Sequence, residues 1–213
     1  MIAHFSDGYG SFPEVTSADE DGLLAVGATL ATDRLLFAYR NGIFPWYDRD
    51  SPVLWYAPDP RFVLFPPELK VSKSLKQVLR NGDWTVTGNQ VFEQVVRNCA
   101  SVDRKDQDGT WIHEEMIEAY TGLHRSGYAQ SIEVWQQGRL AGGLYGVTVG
   151  KVFCGESMFS LVSNASKVAL THLCLSGEYD LIDCQVYTEH LSGLGARMIS
   201  RSRYLEILAA QEK

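Results

Sequence analysis

Short apolar runs, closely punctuated by Pro and Gly, occupy the chain up to about residue 83; longer periodic elements follow. Thr32 before Asp33–Arg40, with Gly42 just beyond, reads as an N-capped helix closed by a glycine. The runs "VLWYA" and "RFVLF", joined by "PDP", predict a hairpin, and "FPPELKVSKSLKQVLRNG" predicts a helix ended by Asn81 and Gly82. From about Trp84 the spacing lengthens. Met116, Tyr120 and Leu123 recur at helical intervals between Ile112 and Arg125, and Gly127 stops them. The stretch "SIEVWQQGRLAGGLYGVTVGKVFCGESMFS" contains three strand-like runs separated by tight turns, hence an antiparallel meander. A helix capped by Asn164 and a strand in "LIDCQVYT" come next. The pattern predicts an α+β protein in two parts: a small α/β domain over residues 1–83, carrying aromatic turns and a basic helix, and a larger domain over 84–213.

In that second part the order of meander, helix and strand resembles the acyltransferase fold of the N-acetyltransferases, down to the L-G-A turn before a closing strand. The composition permits a core of that size: among 213 residues, 45% are hydrophobic and 21% charged. No segment approaches the roughly 18 to 20 apolar residues that a membrane span needs, and the start has no leader pattern, so a cytoplasmic protein without membrane association is expected. Cys99, Cys154, Cys174 and Cys184 form no C-x-x-C pair and read as reduced core thiols. The five histidines, His4, His113, His124, His172 and His190, fall at no metal-ligand spacing. Neither metal nor cofactor is expected. A net charge of -7 argues against broad non-specific nucleic-acid binding while leaving room for a local basic patch, and it suits a cationic substrate.

The chemistry concentrates in "VFCGESMFS". Strand alternation predicts Cys154, Glu156 and Met158 on one face and Phe153, Gly155 and Phe159 on the other, which leaves an acid among apolar neighbours. Asp183 and Gln185 share a face of the later strand, opposite Ile182, Cys184 and Val186. Either these groups satisfy one another in an internal network, or a ligand satisfies them. Trp46, Trp55 and Trp111 sit in or beside turns, where a ring can stack on a base or brace a hinge. Lys73, Lys76 and Arg80 share a helical face opposite Leu75, Val78 and Leu79 and are candidates for phosphate contact, with Arg197, Arg201 and Arg203 a weaker set.

"GIFPWY", "LWYAPDPR", "GTWI", "QSIEVW", "GGLYGV", "FCGESMFS", "NASK" and "LIDCQV", in this order from about Gly22 to Tyr204, resemble the leucyl/phenylalanyl-tRNA–protein transferase family. The resemblance implies transfer of Leu or Phe, and less well Met, from aminoacyl-tRNA to proteins whose N-terminal residue is Arg or Lys, marking them for N-degron degradation. It implies that Trp46 and Trp111 contact the 3′-terminal adenosine. It implies an aminoacyl pocket with Glu156 as its acid and Leu144, Phe153, Leu170, Leu173 and Ile182 as its lining. Asp183 and Gln185 then handle the incoming amine, and the substrate is the expected partner of Glu156. Leu173 stands where the family has Phe, which implies a wider pocket floor. An acetyl-CoA-dependent N-acetyltransferase is disfavoured, because its pyrophosphate loop is replaced here by "SLVSNASK". A related transferase with another acceptor, and a non-catalytic binder of aminoacyl-tRNA, are the other readings.

Overall fold

The structure, a computed structural model, describes residues 2–5, 11–102 and 112–212. The chain opens with β1 (Ala3–Phe5), β2 (Leu23–Gly27), α1 (Thr32–Arg40), β3 (Phe44–Pro45) and β4 (Leu54–Tyr56). These strands form a four-stranded sheet in the order β1-β2-β4-β3. There follow β5 (Arg61–Leu64), α2 (Lys73–Asn81), β6 (Trp84–Gly88), α3 (Phe92–Ser101), α4 (Glu114–Arg125), β7 (Ala129–Gln136), β8 (Arg139–Val149) and β9 (Val152–Ser160). The last elements are α5 (Ala165–Leu175), β10 (Leu181–Gln185), α6 (Glu189–Gly193), β11 (Arg197–Ile199) and α7 (Arg201–Ala209). A seven-stranded sheet in the order β11-β5-β10-β9-β8-β7-β6 carries an apolar cluster on each face. The expected meander is β7-β8-β9, antiparallel throughout, and β10 pairs parallel to β9.

The expected hairpin of "VLWYA" and "RFVLF" does not form. β4 pairs with β2 and β3, whereas β5 crosses into the large sheet between β10 and β11. All four residues of β5 are buried, so the strand needs cover on both faces and takes a central place. The change of sheet therefore comes in the turn between β4 and β5, earlier than the expected division at 83/84. Two caps also differ from expectation. Thr32 is already helical, with Ala31 at the N-cap. Asn164 occupies the N-cap of α5 at φ 70° without a side-chain capping bond, and Ser160 Oγ accepts from the Ser166 N–H at 2.9 Å instead.

One face of the large sheet packs α5 against Leu144, Phe153 and Ile182; the other packs α3, α4 and α7 against Tyr145, Val147, Cys154 and Phe159. This corrects the predicted alternation. Tyr145 is opposite Ser157 and Gly146 is opposite Gly155, so Glu156 is the extra residue of a β-bulge. Beyond it the faces exchange: Phe159 joins Cys154, and Met158 joins Phe153.

A buried ion pair ties β5 to β10. Asp183, fully buried, accepts from Arg61 Nε at 2.8 Å and Nη2 at 2.7 Å, from the Tyr204 hydroxyl at 2.8 Å and from the Gln185 backbone N–H at 2.9 Å. The guanidinium also donates to the Gly42 carbonyl at 3.1 Å and lies between the rings of Phe44 and Tyr204, at 4.6 and 4.7 Å. Burial is the largest single influence and opposes its charge, but the attraction and hydrogen bonds of Asp183, together with Tyr204 and Cys154, outweigh it and raise the pKa. Removing one partner strands the other charge in the interior. Asp183→Ala should therefore cost about 3–5 kcal/mol in urea unfolding, and Arg61→Met combined with Asp183→Leu markedly less; equal losses would contradict the assignment.

Candidate active site

Register between β9 and β10 runs only from Val152 to Cys154 against Leu181 to Asp183. Past these residues the strands part, and a cavity of about 320 Å³ opens between them. Leu144 of β8, Phe153 and Met158 of β9, Leu170 and Leu173 of α5 and Ile182 of β10 give it apolar walls. Phe44 and Trp46 reach it from the smaller sheet, and Trp46 packs at 5.9 Å against Tyr56. Glu156, Asp183 and Gln185 contribute to the same wall. The cavity thus gathers every residue assigned to it from the sequence except Trp111, which lies outside the described residues. Met158 was not anticipated, because the bulge turns it toward the cavity. Trp55 is completely buried and donates to the Gly27 carbonyl at 2.9 Å, so it is a core residue of the smaller sheet.

Glu156 finds its partners in the chain, contrary to the expectation that the substrate supplies them. Its Oε1 lies 2.7 Å from the Tyr39 hydroxyl and 2.7 Å from Gln185 Nε2, and its Oε2 lies 2.8 Å from the Tyr120 hydroxyl. The two hydroxyls are 2.6 Å apart. Proton counting separates the two charge states of this ring. With Glu156 ionised, two hydroxyl protons must serve three oxygen–oxygen contacts, and one contact goes without. With Glu156 protonated, the carboxyl donates to Tyr120, Tyr120 to Tyr39, and Tyr39 back to the carboxyl. Burial pushes the Glu156 pKa up to about 7, against the opposing hydrogen bonds from Tyr39, Tyr120 and Gln185. Tyr39 and Tyr120 belong to α1 and α4, whose helical spacing reads the same for a core tyrosine as for one that holds an acid.

The Gln185 amide is oriented by these contacts. Its Nε2 donates to Glu156, its backbone N–H is held by Asp183, and its φ of 63° carries the chain out of β10. The amide oxygen is thereby directed away from Glu156 and makes no hydrogen bond among the described residues. Asp183, with its four hydrogen bonds, is committed to holding this turn.

Lys73, Lys76 and Arg80 are exposed on α2 and make no ion pair among the described residues. The weaker set is engaged elsewhere: Arg197 with Glu68 at 2.7 Å, Arg203 with Glu206 at 2.9 Å, and Arg201 on the Ala57 carbonyl at 2.6 Å. The four cysteines are buried as thiols. Among the described residues no helix is long and apolar enough to cross a membrane. His190, given no role from the sequence, stands in the cavity wall.

A folded-state pKa of about 7 for Glu156 lies above the ordinary value near 4.5, so between these pH values the folded chain keeps a proton that the unfolded chain has lost. Stability falls as pH rises through that window, by roughly 3 kcal/mol. Glu156→Gln keeps the neutral acid's hydrogen-bond pattern and cannot ionise. Its difference from wild type in urea unfolding should grow in the variant's favour from pH 5 to pH 8; a pH-independent difference would mean that Glu156 is ionised throughout.

The sequence profile described as "Leucyl/phenylalanyl-tRNA protein transferase" matches residues 63–209, and that of the "Leucyl/phenylalanyl-tRNA protein transferase N-terminal domain" matches residues 28–59. Proteins named leucyl/phenylalanyl-tRNA–protein transferase from Syntrophobacter fumaroxidans and Flavobacterium johnsoniae are 56% and 52% identical to this chain; the alignments cover 93% and 94% of it and 86% and 96% of the relatives. A solved GCN5-related N-acetyltransferase from Kribbella flavida aligns over 76% of this chain and 58% of its own, with 11% identity and a TM-score of 0.37. On the profile and sequence matches, the chain belongs to the leucyl/phenylalanyl-tRNA–protein transferase family of aminoacyltransferases.

Proposed function

We propose that the cavity between β9 and β10 receives the side chain of Leu, Phe or Met esterified to tRNA, and that the acceptor is the free α-amine of a protein beginning with Arg or Lys. The observation that carries this reading is the apolar cavity ending on an amide, Gln185, whose oxygen is turned from Glu156 by the bond from its own Nε2. Walls made by Leu144, Phe153, Met158, Leu170, Leu173 and Ile182 fit unbranched-at-Cβ apolar side chains, and Leu173 leaves more room at the floor than Phe would. Trp46 at the rim offers a ring face to the terminal adenine. Trp111 is assigned to the same base on the resemblance alone.

The reaction is aminolysis of an activated ester. The acceptor nitrogen attacks the ester carbonyl, the C–N bond forms, and the C–O bond to the terminal ribose breaks with return of a proton to that oxygen. An N-terminal amine has a pKa near 7.7–8.0, so roughly a tenth or more is already neutral at pH 7. The task for the protein is placement. Gln185 Oε1 accepts a hydrogen bond from the amine and aims its lone pair; Glu156 holds the other end of that amide. Asp183 acts one step back, fixing the turn that presents Gln185. Lys73, Lys76 and Arg80 supply a local basic face for the acceptor stem on a chain of net charge -7. Transfer to Arg- or Lys-headed proteins marks them for N-degron degradation in the cytoplasm.

Transfer of labelled Leu and Phe from charged tRNA to peptides headed by Arg, Lys, Asp or Ala tests the reading. Product on the Arg and Lys peptides alone is expected, and product on the Asp peptide would replace the acceptor class. Gln185→Ala should lower kcat by about 10²-fold with little change in the KM for charged tRNA. A change confined to KM would remove the orienting role.

A further inference from the structure

A second cavity, also about 320 Å³, adjoins the first and shares His190 with it. Its charged wall residues are Lys70 and Lys167, with no carboxylate among the residues that line it. In a chain with 26 acidic and 19 basic residues, two lysines facing one cavity without an acid is an unusual local balance. Neither lysine forms an ion pair among the described residues. Lys167 lies near enough to His190 that, after burial, its charge is what lowers the imidazole pKa. His190 is therefore neutral at pH 7 and keeps one N–H.

The hydroxyls add a donor. Ser72 Oγ accepts from the Leu75 N–H at 3.1 Å and lies 2.9 Å from Ser74 Oγ. Whichever serine donates to the other, one O–H proton remains for an outside acceptor. Two ammonium groups and a spare hydroxyl in one concave wall suit an oxyanion with several acceptor oxygens. The cavity's position narrows the choice. It lies beside the aminoacyl cavity, and its other edge is the first turns of α2, the helix that bears Lys73, Lys76 and Arg80.

We propose that this cavity holds a backbone phosphodiester of the donor tRNA just upstream of its terminal adenosine, with Lys70 and Lys167 as the charge contacts and the Ser72–Ser74 pair as a hydroxyl donor. The proposal rests on the reading of the first cavity as the aminoacyl site. It gives the 3′ strand a continuous route from the aminoacyl group, past His190, to the exposed basic face of α2. It also explains how a net acidic protein holds RNA: the cations are gathered along one track.

The test compares two leucyl donors, charged tRNA and leucyl-adenosine, which carries the ester but no phosphodiester. In the Lys70→Gln/Lys167→Gln double variant, KM for charged tRNA should rise on the order of tenfold. Its log–log dependence on salt should flatten by about 0.7 for each lost contact. The loss should be confined to the donor that carries phosphodiesters. An unchanged KM and salt slope would overturn the proposal, and so would equal losses with both donors, since a structural defect would not distinguish them. Failure of the wild-type enzyme to transfer from either donor would instead refute the aminoacyl-site reading.

Discussion

Everything at the site depends on one buried ion pair, Arg61 with Asp183. A charge taken out of water is stable only with a partner and a full set of hydrogen bonds, and here both are provided from four separate elements of the chain. Arg61 comes from β5, Asp183 from β10, Tyr204 from α7, and the Gly42 carbonyl from the turn that leaves α1. The pair thereby fastens the smaller sheet's turn to the larger sheet at the point where β9 and β10 separate. It also determines the backbone of Gln185, because Asp183 accepts that residue's N–H at its left-handed φ.

From this anchor the polar groups form a hierarchy. Asp183 is saturated by the protein and serves as scaffold. Glu156 is satisfied by Tyr39, Tyr120 and Gln185, and burial makes its charge conditional on pH. Of these three residues, Gln185 alone has a side-chain oxygen that makes no hydrogen bond among the described residues, and in the proposed reaction that oxygen meets the acceptor amine. A carboxylate in its place would be charged and would ion-pair with an ammonium, favouring the unreactive protonated amine. An amide oxygen accepts a hydrogen bond without opposing loss of the proton.

Charge is distributed with the same economy. The two acids beside the apolar cavity are both engaged by neighbours, while lysines without an ion pair among the described residues collect along the second cavity and the exposed face of α2. Under the proposed reaction, with polyanionic RNA as donor and a cationic N-terminus as acceptor, no single overall sign is needed; the two signs belong on different paths to one opening.

The sequence by itself determined the α+β class, the meander and the helix between β9 and β10. Those features are written in local periodicity, which strand and helix geometry impose over a few residues at a time. The apolar lining, by contrast, was named through the family resemblance and not through any local pattern. The sequence also exposed Glu156, Asp183 and Gln185 as acids and an amide in apolar strands, where burial makes any polar group conspicuous. Only the tertiary structure decided which groups meet. Tyr39, Arg61, Tyr120 and Tyr204 come from elements remote in sequence, and a tyrosine on an amphipathic helix or an arginine opening a strand carries no local mark of its partner. The pairing of β5 with β10 rather than β4, and the bulge that turns Met158 toward the cavity, are likewise long-range outcomes. A strand's own alternation specifies which positions are buried, but its neighbour and its register come from the packing of the whole sheet.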